Sequence, residues 1–138
     1  MKITQIAESK VTEKRSRFLA RVFPALSMEV VQAEIKAARA RVRKGRHHCW
    51  ACRVRQGGRL VEQARDDGEV GRPGTVILEV LRRYDLEGGI VVSRLFGGVK
   101  LGVGGVSRAF RQAAEEAVAK LGVQGSTGQR VKGPSSRK

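Results

Sequence analysis

The chain has 138 residues, with 28 Lys plus Arg against 13 Asp plus Glu, a net charge of +15 and a sequence pI of about 11.2. That length suits one domain and excludes two ordinary ones. No apolar run reaches the ~18 residues of a membrane span, the N-terminus MKITQIAESK lacks a secretory apolar segment, and two cysteines make no disulfide framework, so a cytoplasmic protein is expected.

Taken in chain order, residues 2–7 alternate weakly and predict a short first strand. Residues 16–23 predict a second, with Phe18, Ala20 and Val22 on one face and Arg17 and Arg21 on the other. Pro24 ends it and Ser27 is placed to cap a helix. Over 28–43, Met28, Val31, Ile35, Ala38 and Val42 recur at helical spacing and form one apolar stripe. Arg39, Arg43 and Arg46 share another face, and with Arg41 and Lys44 they make the helix end densely basic; the helix dipole accounts for part of that cluster.

Residues 49–55 predict a strand carrying Trp50, Cys52 and Val54 on one face and Ala51, Arg53 and Arg55 on the other. Gln56-Gly57-Gly58 turns the chain and 59–64 returns as its hairpin partner. After the acidic turn Asp66-Asp67-Gly68-Glu69, helical spacing resumes at Ile77, Leu78, Leu81 and Tyr84. Ile90-Val91-Val92 has the continuous apolar character of a strand covered on both faces. A glycine-rich loop, 97–105, leads into a last helix over about 104–121 that buries Val106, Ala109, Phe110, Ala113, Ala117 and Leu121. Residues 122–138 contain no acid and little to bury, so a disordered basic tail is expected behind a domain of 1–121. The order β-β-α-β-β-α-β-α predicts an α+β fold with helices on one face of a mixed sheet.

Three constellations invite chemistry. Cys49-Trp50-Ala51-Cys52 has the spacing of a metal or redox pair, but on a strand its two sulfurs face opposite sides and cannot grip one ion. Two separately buried cysteines are expected, and no metal or cofactor. Asp66, Asp67 and Glu69 carry enough oxygens for a divalent cation; the alternatives are a solvated turn, or acids that pair with and orient nearby arginines. The loop carrying Gly97, Gly98, Gly102, Gly104 and Gly105 opens a helix whose exposed N–H groups attract anions, with Arg94, Lys100 and Arg108 around it. It is neither a Walker A loop nor a dinucleotide fingerprint, and close backbone packing is the plainer role for its glycines.

The segment Ser93-Arg94-Leu95-Phe96-Gly97-Gly98-Val99-Lys100-Leu101-Gly102-Val103-Gly104-Gly105-Val106-Ser107-Arg108-Ala109-Phe110 resembles the signature of the IMPACT/YigZ family. Ser16–Ala20, His47–Ala51, Asp66–Glu69 and Ile77–Leu81 are similar to further family motifs in the same order, so the resemblance covers about 1–121. Leu95 and Cys52 stand where the family usually has aromatics, and 70–75 is about one residue shorter than the family's loop. The resemblance implies a fold like the second domain of a small-subunit ribosomal protein, and a link to translation. It supplies no catalytic residues. Family members carry an additional domain on one side or the other, and this chain is expected to be the shared core plus its tail.

A net charge of +15 then narrows the partner. Each phosphate neutralised by Lys or Arg releases counterions, so such a chain gains salt-sensitive affinity for nucleic acid. An anionic membrane fits less well, because no segment joins a basic face to large exposed apolar residues. The sequence predicts a non-catalytic protein on the ribosome or its RNA, with translation factors as further partners. The contacts expected are Arg39, Arg43, Lys44 and Arg46 at the helix end, Arg53 and Arg55 on an exposed strand face, Arg94, Lys100 and Arg108 around the loop, and Arg130, Lys132, Arg137 and Lys138 in the tail. Two other readings stay open: a protein or enzyme binding a phosphorylated compound at 94–108, and a protein–protein regulator.

Overall fold

The computed structural model describes residues 1–122. Its elements are β1 (Ala7–Glu13), β2 (Ser16–Phe23), α1 (Met28–Arg41), β3 (His47–Gln56), β4 (Arg59–Arg65), α2 (Pro73–Arg83), β5 (Gly88–Leu95) and α3 (Gly102–Ala119). The five strands form one sheet in the order β1-β2-β5-β3-β4, and every pairing between them is antiparallel.

The α+β class and the order of elements are those expected. Two details of the layering differ. The strands alternate in direction, so the sheet is antiparallel, with a parallel contact only at the bridge Lys2 to Glu87. The helices also lie on both faces. On one side Phe18, Ala20, Val22, Cys49, Ala51, Ile90 and Val92 pack against α2 and α3. On the other, Trp50, Cys52, Val54, Val91 and Phe23 pack against the Val31–Ile35–Ala38 stripe of α1. The cause is β3, whose residues 48–54 are all buried; a strand apolar on both faces needs a cover on each.

The first strand is also displaced from the expected 2–7. Residues 2 and 3 form only a single bridge, to Glu87, although Ile3 is buried in the core, and β1 proper alternates Ala7, Ser9 and Val11 inward. Ser9 is buried because its hydroxyl donates to the Ala113 carbonyl of α3 at 2.6 Å, which meets the cost of burying a polar group. Beside it, Phe18 and Phe110 meet edge to face with ring centres 5.1 Å apart, worth about 0.5–1.5 kcal/mol beyond their burial.

Ser27 caps α1 as expected, its Oγ accepting from the Val30 N–H at 3.2 Å. The alternation of directions brings one set of element ends together. The β1–β2 turn, the C-terminus of α1, the start of β3, the acidic turn, the N-termini of α2 and α3 and the end of β5 all lie at one pole of the sheet.

Candidate nucleic-acid interface

The acidic turn is turned into this pole, and each acid has a different task. Asp66 Oδ1 accepts from the Gly74 N–H at 2.8 Å, capping the first turn of α2. Asp67 accepts from the His48 N–H at 2.8 Å and from both terminal nitrogens of Arg39 at 3.2 Å; these contacts hold its carboxyl below the usual range although burial opposes them. Glu69 reaches the Arg94 guanidinium at 3.0 Å, with side-chain exposures of 5% and 9%. Of the three expectations for this turn, pairing with and orienting arginines fits Asp67 and Glu69. Among the described residues no cluster of His, Cys, Asp or Glu is arranged to hold a metal.

Arg94 is therefore not a surface cation. Cross-strand pairing sets it between Phe18 and His47. Its guanidinium carbon lies 5.5 Å from the Phe18 ring centre and 5.6 Å from that of Phe96. Nη2 is 3.5 Å from Ser16 Oγ, and Nε has no hydrogen-bond partner among the described residues. The Ser16 hydroxyl also accepts from the Gly97 N–H at 3.1 Å, so the glycine loop is stitched to the β1–β2 turn. Glycine is required at 97, because a Cβ there would stand 2.2 Å from the Arg15 backbone.

Arg53 needs the same correction. It is buried, donating to Glu62 at 2.9 Å and to the Leu86 carbonyl at 3.2 Å. It shares a strand face with Ala51, and α2 covers that face. Arg55 is exposed, but it pairs with Glu87 at 3.0 Å at the opposite end of the sheet. The structure brings together Arg39, Arg43, Lys44, Arg46, Lys100 and Arg108 at the basic pole and takes Arg53 and Arg55 away from it. Arg130, Lys132, Arg137 and Lys138 lie outside the described residues.

The pole also holds cations that sequence reasoning passed over. Lys14 and Arg15 form the whole β1–β2 turn, both with positive φ (45° and 71°), and Arg72 enters α2 at φ 52°. Such conformations cost roughly 1–2 kcal/mol in residues with a side chain and cluster where function retains them. Of the five non-glycine residues with positive φ among the described residues, Lys14, Arg15, Asp67 and Arg72 are at this pole. Their signal in the sequence is faint, since Lys-Arg is not a recognised turn pair.

At the centre of the pole is a cleft of about 370 Å³, lined by Arg46, His47, Val70, Arg94, Phe96, Lys100, Leu101 and the first turn of α3. Leu101, at the N-cap, offers no side-chain acceptor to that turn. Gly102 opens the helix at φ +75° with open space where a Cβ would be. Of the five glycines expected to bind an anion, Gly102, Gly104 and Gly105 lie in this first turn, whereas Gly97 serves close packing.

The family model of the Impact N-terminal domain matches residues 14–118. The chain belongs to the IMPACT family. A Thermus thermophilus protein described as an IMPACT family member in the pol 5′ region is 42% identical over 106 residues, covering 76% of this chain and 56% of that protein. IMPACT family member YvyE of Bacillus subtilis is 30% identical over 123 residues, 88% of this chain and 56% of the relative. YigZ of Escherichia coli is 30% identical over 118 residues, 83% and 57% respectively. The chain thus spans little more than half the length of the curated relatives it matches. A crystal structure described only as that of a hypothetical protein superposes with a TM-score of 0.79 at 27% identity, over 88% of this chain and 60% of the other. Within the matched residues, His47-His48-Cys49-Trp50 falls on β3, and the glycine-rich segment runs from β5 through the cleft into α3.

Two predictions follow from the interior beside the cleft. Cys49 and Cys52 are reduced and fully buried on opposite faces of the sheet, and burial pushes both thiols up. Thiolate is the reactive form, so neither cysteine should react with iodoacetamide in the native protein at pH 8, and both should react in urea. Rapid native labelling of either would contradict the packing. His48, also buried, donates from Nε2 to the Gly45 carbonyl (3.2 Å) and accepts at Nδ1 from the Ser93 hydroxyl (2.8 Å). Burial, and next the charge of Arg39, lowers its pKa, favouring the neutral ring. As pH falls below about 6.5 the unfolded chain takes up a proton that the folded ring resists, so stability is lost, at up to about 1.4 kcal/mol per pH unit. The urea midpoint should fall between pH 6.5 and 5, and His48→Gln should flatten that slope; an unchanged slope in the variant would place the titration elsewhere.

Proposed function

We propose that this protein acts in translation by lying on ribosomal RNA through its basic pole, as a binding protein and not as an enzyme. One observation carries the reading. At this pole the acids of the 66–69 turn are engaged by Gly74, His48, Arg39 and Arg94, while Arg43, Lys44, Arg46, Arg72, Lys100 and Arg108 are exposed with no acidic partner among the described residues; Glu13, at the end of β1, is exposed there too, one acid against six cations. At the other end of the sheet, Arg53, Arg55, Arg82 and Arg83 face Glu62, Asp85, Glu87 and Glu115. Cations left unneutralised on one surface are the electrostatic footprint of a phosphate-binding face.

The family resemblance supplies the link to translation, and the charge turns it toward RNA. We take residues 1–121 as the folded unit. The sequence beyond adds Arg130, Lys132, Arg137 and Lys138 and no acid, which extends the same charge. Phosphate contacts of this kind position a protein on RNA shape more than on base sequence. No helix among the described residues is long and apolar enough to cross a membrane. The test is sedimentation of the full chain with purified ribosomes through sucrose. It should travel with ribosomal particles at low salt and be released at high salt; remaining at the top of the gradient at low salt would sink the reading.

A further inference from the structure

We infer that the cleft between Phe96 and the first turn of α3 holds one unpaired nucleotide, the base against the Phe96 ring and the phosphate at the helix N-terminus between Arg46 and Lys100. This rests on the RNA reading above and narrows it to a subsite.

The cleft joins two chemistries that a nucleotide also joins. Its wall is apolar and open. Phe96 is 57% exposed, Val70 51% and Val103 60%, so three of the large exposed apolar side chains are gathered at one site. Grouped exposure of this kind marks a contact surface. Its rim is cationic: Arg46 and Lys100 line it and lack acidic partners among the described residues, and the uncapped first turn of α3 presents its N–H groups there. A volume of about 370 Å³ is at the small end for ligand clefts, which suits one nucleotide and not an extended chain.

Phe96 is also held in place. Arg94 lies between the Phe18 and Phe96 rings, and Glu69 fixes Arg94. The chain therefore spends a buried ion pair, and leaves the buried Nε of Arg94, a residue that lines the cleft, without a hydrogen-bond partner among the described residues, beneath a ring whose own exposure serves no core. A preset aromatic platform of this kind suits base stacking, which tolerates any base because each has a π face. An acidic peptide could satisfy the rim, but it has no use for a flat, rigid ring.

The nucleotide could belong to an RNA strand or be free, and the experiment separates the two. Affinities of wild type, Phe96→Ala, Phe96→Trp and Lys100→Ala would be measured for a single-stranded oligoribonucleotide, an RNA duplex and adenosine 5′-monophosphate. Phe96→Ala should weaken single-strand binding by about 5- to 100-fold, with duplex binding unchanged and the urea midpoint lowered only by the loss of one of the two ring faces on Arg94. Phe96→Trp should restore binding, with tryptophan fluorescence quenched as the base stacks. Saturable binding of the monophosphate, lost in Phe96→Ala, would identify a free ligand; binding of the strand alone identifies RNA. Equal affinity of Phe96→Ala and wild type for both strand and monophosphate overturns the subsite. Strand binding relieved in every variant by an acidic, aromatic-free peptide at the same site overturns it too. Neither result touches ribosome sedimentation, which tests the broader reading separately.

Discussion

Glu69→Ala should destabilise the protein by about 3–5 kcal/mol, a large share of the ~5–15 kcal/mol available to a domain of this size. The reason is the position of Arg94. Its side chain is 9% exposed and that of Glu69 is 5% exposed. The attraction between them offsets the cost of taking both out of water. Removing Glu69 leaves a guanidinium that cannot lose its proton, with Ser16 Oγ at 3.5 Å and the faces of two rings as its remaining company. Aromatic faces contribute about 2 kcal/mol at most to a desolvated cation and cannot replace a carboxylate. The double variant Glu69→Leu with Arg94→Met should recover most of the loss, because apolar residues of similar volume in place of a buried pair are often neutral or stabilising. Urea midpoints of the single and double variants measure this. A Glu69→Ala midpoint equal to wild type would mean that Arg94 is solvated in solution. The double variant also separates folding from the platform: it should fold, yet bind a single strand less well, since Phe96 loses its support.

Arg94 shows where sequence reasoning stopped. An arginine just before Gly97-Gly98 looks like a loop cation, and nothing local contradicts that. Its burial is set by cross-strand register with Phe18 and His47 and by Glu69 arriving from a turn 25 residues away. Arg53 is a different case. Strand alternation puts it on the face of the apolar Ala51, and that pattern by itself implies burial. The apolar run Ile90-Val91-Val92 likewise implies cover on both faces, yet helices are expected on one only; α1 supplies the second cover. The strand at Ala7–Glu13 was hidden because its inward positions are Ala, Ser and Val, with Ser9 made apolar in effect by its bond to Ala113. The helices α1 and α2 and the strand β3 are legible along with the cap at Ser27. The clustering of cations at one pole is not, because it depends on the direction in which each element enters the sheet.

That clustering makes the second large effect. Arg43→Ala, Lys44→Ala and Arg46→Ala together should reduce the slope of log affinity for RNA against log salt by about 2–3, as three phosphate contacts at roughly 0.7–0.9 each require. Counterion release weakens as bulk salt approaches the condensed concentration, so the same change costs affinity unequally. The loss should be about 100-fold or more near 50 mM salt and under about 10-fold near 0.5 M. All three side chains are exposed just beyond the end of α1, so the urea midpoint should shift by no more than about 0.5 kcal/mol. The informative control is at the other end of the sheet. Arg55 is held by Glu87 and Arg82 by Glu62, so these cations are neutralised before any RNA arrives, and Arg55→Gln with Arg82→Gln should leave the slope nearly unchanged. An equal change in slope per charge removed in the two sets of variants would mean that net charge alone draws RNA. A loss confined to the pole means that the fold has sorted its charges, pairing acids with arginines at one end and engaging the acids of the 66–69 turn at the other, so that the remaining cations outnumber exposed acid on a single surface.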